Sequence, residues 1–212
     1  MQVSRLAQLK ALLFVLCLLP LARLVLFGLT DRLGANPIEF ITRSTGTWTL
    51  VMLCATLCVT PLRKLSGWSW LLRLRRMLGL FCFFYVLLHL MTWIWFDHFF
   101  DINDLVKDVI KRPFITVGFL AMLLLWPLAL TSNNAAMKKL GRNWSRLHRL
   151  IYPIAGLAIL HFWWMKAGKN NFSDPLWYGA FIAALLAWRV WDRWKAQPRV
   201  DSLANKSSSA SR

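Results

Sequence analysis

Two histidines of this 212-residue chain, His89 and His161, lie inside long apolar runs. An ionisable side chain in such a setting is costly and marks a functional candidate by default. Phe81, Phe83, Phe84 and Tyr85 precede the first, and Phe162, Trp163 and Trp164 follow the second. One neutral imidazole on each axial face of an iron would hold a porphyrin edge-on between helices, and aromatic walls suit a flat apolar cofactor. The competing reading is that each ring hydrogen-bonds another helix. A third histidine, His148, precedes His161 by thirteen residues; the run carrying His89 offers Arg75 and Arg76 at the matching depth, not a histidine. Paired guanidiniums suit an anion such as a haem propionate or a flavin phosphate. Plain topological anchoring is the alternative for them. His98 follows the third apolar run and is expected to be an exposed side chain. Cys17, Cys54, Cys58 and Cys82 all fall in apolar runs; they read as small hydrophobes more readily than as a metal site, although Cys54 and Cys58 share a helix face.

The elements that must position these residues follow from composition. Hydrophobic residues make up 58% of the chain, with 13 Trp and 14 Phe, and mean hydropathy is +0.48. A helix needs about 20 apolar residues to cross a bilayer. Six runs qualify: Lys10–Leu29, Gly46–Leu62, Met77–Phe96, Pro113–Thr131, His148–Met165 and Pro175–Trp194. The second is short and must draw on its flanks. The expected fold is all-α, a polytopic six-transmembrane-helix bundle, because hydrocarbon leaves no partner for an exposed backbone group and the alternation of a barrel is missing. Residues 10–195 form the membrane domain, 1–9 a cytoplasmic N-terminus, and the Ser-rich 196–212 a disordered cytoplasmic tail. The first run lacks a small-x-small cleavage site and reads as an anchor, not a removable signal.

A formal net charge of +17 would suggest nucleic acid in a soluble protein. Here it sorts by loop. With the N-terminus inside, eighteen of the 26 Lys and Arg fall on the inner side and seven outside, with Arg23 inside the first run. Seven of the 9 acids lie outside. Both termini are therefore expected in the cytoplasm, and the basic balance is topology with some attraction to anionic membrane lipid, not a nucleic-acid footprint. The third and fifth runs then share an inner origin. His89 is fourteen residues past Arg75 and His161 thirteen past His148, so at about 1.5 Å per residue both sit roughly 20 Å from the inner edge. Pro153 is placed to kink the fifth run and alter the register of His148. Arg23 either meets a propionate or snorkels outward. The segment Ile102, Leu105, Val106, Val109, Ile110 has helical spacing, with Asp101 or Asn103 as its cap, and lies on the membrane or forms a platform for an external partner.

The run Arg73-Leu74-Arg75-Arg76-Met77-Leu78-Gly79-Leu80 leading to His89 resembles the ferric-reductase-like transmembrane family, and within it the haem-binding membrane subunits of bacterial methionine sulfoxide reductase systems. Lys111-Arg112-Pro113-Phe114, Leu130-Thr131-Ser132, Lys139-Leu140-Gly141, and Trp144 through His148 to His161 carry the same resemblance, in order, from about residue 10 to 195. It implies an electron carrier of the bacterial inner membrane with haem b on His89 and His161, and FMN as a second cofactor. Relatives that hold two haems place two histidines on each of two helices. Here arginine replaces the inner histidine of the third run, which leaves a second haem on His148 open. The implied donors are the quinone pool or a cytosolic flavin reductase. The implied acceptor is a periplasmic molybdopterin-containing methionine sulfoxide reductase. The chain has no Gly-rich phosphate loop and no room for a nicotinamide module, so electrons must come from another molecule. The alternative function is a cytochrome b anchor of a respiratory dehydrogenase exchanging electrons with quinone. A transporter is disfavoured because the spans hold essentially no acids.

Overall fold

The computed structural model describes residues 3–195 apart from 169; the expected tail at 196–212 lies outside the described residues. Among the described residues nine α-helices follow one another: α1 Val3–Leu29, α2 Pro37–Ser66, α3 Leu72–Thr92, α4 Ile102–Lys111, α5 Pro113–Leu130, α6 Asn134–Leu140, α7 Arg142–Leu147, α8 Ile151–Ala167 and α9 Ser173–Lys195. There is no strand among the described residues. Five helical segments are long and apolar enough to cross a membrane: 5–29, 37–66, 69–97, 113–130 and 142–167. The sixth expected span is helical as α9, but Arg189, Asp192, Arg193 and Lys195 make it the most polar of the six. The short second run does recruit its flanks, growing to 30 residues.

Local chemistry sets the ends. Asn36 Oδ1 accepts from the Glu39 N–H at 3.1 Å, and Pro37 supplies a first-turn residue that has no N–H to leave unpaired. Gly67, at φ 73°, closes α2 by donating to the Arg63 carbonyl, a left-handed turn that costs glycine nothing. Pro113 opens α5 in the same way as Pro37.

The packing is organised in pairs. α2 lies along α3 and α5 along α8, while α9 crosses α2 and α8. Leu53, Leu57, Tyr85 and Ala155 are almost fully buried between them. Tyr85 Oη donates to the Cys17 carbonyl at 2.7 Å, which ties α1 to the bundle. Pro61, inside α2, lacks the N–H that would bond the Leu57 carbonyl four residues earlier. The Arg189 guanidinium of α9 donates to that oxygen at 2.6 Å and to Tyr152 Oη at 3.4 Å. A residue only 7% exposed thus carries its charge into the bundle by serving a backbone acceptor that a proline set free.

At the end of α3 the chain widens into a π-helical turn, Trp93–Asp97, and then reverses through Phe99 (φ 47°) and Phe100 (φ 65°). Asp101 caps α4 by accepting from the N–H groups of Asn103 and Asp104. The expectation that His98 is exposed fails. Its side chain is 13% exposed, because the reversal folds α4 back over it and buries Asp108. That carboxylate accepts from His98 Nε2 at 3.0 Å, Trp93 Nε1 at 3.1 Å and Arg112 Nε at 2.8 Å. Pro153 falls in the first turn of α8, where its missing N–H is harmless, and His148 sits in the 3₁₀ turn, His148–Leu150, that separates α7 from α8.

Candidate functional site

Each helix pair presents one histidine. His89 of α3 leans on α2, and its Nδ1 lies 3.0 Å from the Thr42 carbonyl oxygen. His161 of α8 leans on α5, and its Nδ1 lies 2.6 Å from the Phe114 carbonyl oxygen. A carbonyl can only accept, so in each ring Nδ1 is the N–H donor. A neutral imidazole so held keeps its lone pair on Nε2, the form that binds a metal.

Both carbonyls are reachable for one reason. A helical side chain leans back over the preceding turn, so the residue four positions on covers a given carbonyl. Those positions are Gly46 and Gly118. A Cβ on Gly46 would stand 3.1 Å from His89 Cε1, and one on Gly118 would stand 2.6 Å from His161 Nδ1. The device is built twice, as carbonyl, glycine four residues later, and histidine 47 residues after the carbonyl. Thr45 Oγ1 adds a contact at 3.4 Å to His89 Nδ1.

The two cradles face each other. The His89 and His161 ring centres are 6.2 Å apart with their planes 77° from parallel. Two metal–imidazole bonds of about 2.0 Å, with roughly 1 Å from each nitrogen to its ring centre, span about 6 Å. The donor set, the tautomers and the spacing therefore fit one iron that His89 and His161 would hold.

The other residues singled out in the sequence are placed apart from this pair. The His148 ring stacks on Trp144 at 4.0 Å, and its Nε2 is 3.1 Å from Thr131 Oγ1. Arg76 donates to Asn134 Oδ1 at 2.7 Å, while Arg75 lies within electrostatic reach of Arg189 and Tyr152; both charges act on the His148 ring. Arg23 is exposed, with its guanidinium 4.8 Å from the Phe27 ring centre. Phe83 packs on Trp126, Phe162 on Tyr178 and Trp163 on Phe172, and the aromatic neighbour of His161 is Phe114, at 6.0 Å. The four cysteines are free thiols.

Gly46, Gly118 and the two carbonyl acceptors, Thr42 and Phe114, were not anticipated. The available signal was glycine inside an apolar helix, where it weakens the helix and calls for a packing reason.

Residues 45–159 match the ferric reductase like transmembrane component family. A relative from Herminiimonas arsenicoxydans, named "Protein-methionine-sulfoxide reductase heme-binding subunit MsrQ", is 59% identical over 96% of this chain and 94% of its own. The chain belongs to the MsrQ family. MsrQ proteins of the same printed name from Ralstonia nicotianae and Polaromonas naphthalenivorans are 57% and 54% identical, over 86% and 92% of this chain and 84% and 90% of theirs. No solved structure matches. Membership, with the apolar helices, makes this a multi-pass membrane protein. The family match takes in Thr45, Gly46, His89, Phe114, Gly118 and His148, and ends two residues before His161.

Proposed function

We propose that this chain is a haem-bearing electron-transfer subunit of the bacterial inner membrane that delivers electrons to a periplasmic methionine sulfoxide reductase. The observation that carries the reading is the facing pair His89 and His161, 6.2 Å apart and each fixed through Nδ1 to a backbone carbonyl. The relatives' printed name, a heme-binding subunit of a methionine sulfoxide reductase, supplies the chemical context. A b-type haem held there would supply one-electron carriage through the apolar interior. The protein's share is to fix both rings as neutral Nε2 ligands and to set the hydrogen bonds behind them, which would tune the potential.

We take the basic end of the bundle as cytoplasmic, with the histidine pair in the outer half, nearer a periplasmic acceptor. A single haem accounts for the histidines best: His98 is engaged with Asp108 and His148 with Thr131 and Trp144. We assign FMN to the inner end, a reading supported by Arg189 and Arg193, which both donate to Tyr152 Oη, at 3.4 and 3.0 Å, with the charge of Arg75 nearby. Converging guanidiniums suit a flavin phosphate. Quinol or a cytosolic flavin reductase would be the donor, and the molybdopterin-containing subunit the acceptor.

The deciding experiment is an oxidised and dithionite-reduced absorption spectrum of the purified protein, with haem and flavin counted per chain. His89→Ala and His161→Ala should each abolish the reduced b-type band; a full band in both overturns the ligand assignment. Loss of periplasmic methionine sulfoxide repair on deletion supports the acceptor. Intact repair with a lost dehydrogenase activity would make the chain a respiratory anchor instead.

A further inference from the structure

A groove of about 850 Å³ runs between α1 and α3, beside the contacts that hold α1 to the bundle. Those contacts are Phe14 against Phe81, ring centres 5.1 Å apart, and Tyr85 on the Cys17 carbonyl. Lys10, Arg73 and Arg76 line one end, and Phe14, Met77 and Phe84 line the remainder; no carboxylate lines any of it. Arg76 is fixed by Asn134, whereas Lys10 and Arg73 have no ion-pair partner among the described residues. From Arg73 to Phe84 is eleven residues, or about 16 Å along a helix, close to half the roughly 30 Å hydrocarbon thickness of a bilayer. The groove therefore pairs a cationic mouth at one membrane surface with an apolar shaft one leaflet deep.

We infer that this groove between α1 and α3 binds an acidic phospholipid, its phosphate on Lys10, Arg73 and Arg76 and one acyl chain along Phe14, Met77 and Phe84. Basic pockets between membrane helices select anionic headgroups, and the length match assigns the apolar part to a chain from the same leaflet. A quinol would fit the shaft but not the mouth. Its oxidation releases protons, and three cations and an amide offer no base to take them. The site is separate from the histidine pair and does not depend on the haem reading.

The test uses the full-length protein in neutral detergent, with native mass spectrometry and thermal melts in the presence of phosphatidylglycerol or phosphatidylcholine of identical acyl chains. Phosphatidylglycerol should be retained and should raise the melting temperature more than phosphatidylcholine does. The triple variant Lys10→Gln, Arg73→Gln, Arg76→Gln should lose that preference, by about fivefold per cation removed. Leu80→Trp keeps the charges but fills the shaft, and should also weaken retention. Lys138→Gln, Lys139→Gln, Arg142→Gln removes three cations of the same end that do not line the groove, and should retain the preference. Monodisperse elution of each variant guards against misfolding. Equal binding of the two lipids, a preference that survives the triple variant, or an equal loss in the control variant overturns the proposal. So does displacement of phosphatidylglycerol by ubiquinone or by inorganic phosphate.

Discussion

Replacing Gly118 with alanine tests the histidine cradle most sharply, because the same change has opposite effects on the helix and on the site. In α5, alanine favours the helix by up to about 1 kcal/mol over glycine. At the site, the new Cβ would lie 2.6 Å from His161 Nδ1 against the 3.4 Å at which ordinary contact begins, a shortfall of 0.8 Å. Metal–ligand distances hold to about ±0.2 Å, so withdrawing the ring by that shortfall takes Nε2 out of bonding range. The methyl also covers the Phe114 carbonyl, and losing such a supporting hydrogen bond typically weakens metal affinity by about 10- to 100-fold. Gly46→Ala should be milder, since its Cβ would stand 3.1 Å from His89 Cε1, a shortfall of 0.3 Å. The assay is haem per chain by pyridine haemochrome, with the reduced spectrum and a thermal melt. The expected order of haem content is wild type, then G46A, then G118A, with the G118A apoprotein melting no lower than wild-type apoprotein. A G118A protein with full haem and an unshifted band, or a G46A protein that loses more haem than G118A, would refute the cradle.

Other perturbations read other parts of the molecule. Arg189→Met should strand the Leu57 carbonyl and cost about 1–3 kcal/mol; adding Pro61→Ala restores an N–H four residues on and should recover part of that loss in thermal melts, giving a non-additive double mutant. Asp108→Ala removes the acceptor shared by Trp93, His98 and Arg112, and should speed proteolysis between residues 99 and 112 in oriented vesicles while the melting point of the bundle changes little. His148→Ala should leave the haem-to-protein ratio of the purified protein unchanged; a fall by half would restore a second haem at that position.

Five of the six expected spans were legible because an apolar run of the right length has one stable conformation in lipid, and the meeting of His89 and His161 at one level followed from helix rise once both helices were given a common origin. What rotates a ring into place was not legible. Nothing in the residues around His161 names Phe114, 47 positions away, as its partner, because that choice depends on which helix face α5 turns to α8. The burial of His98 depends on a chain reversal built from two non-glycine residues at positive φ, Phe99 and Phe100, which sequence patterns disfavour. The Arg189–Leu57 bond did leave a trace: Pro61 within an apolar run announces a carbonyl in need of a donor, although not which donor.

The two cradles sit on different helix pairs, α2 with α3 and α5 with α8. The first pair is complete in the chain before the second has been synthesised, so each half-site folds against its own neighbour without waiting for the other. Nothing within either half can close the site. An iron bridging His89 and His161 would act as a cross-link between two preassembled hairpins, and assembly of the bundle and loading of the centre would become one event.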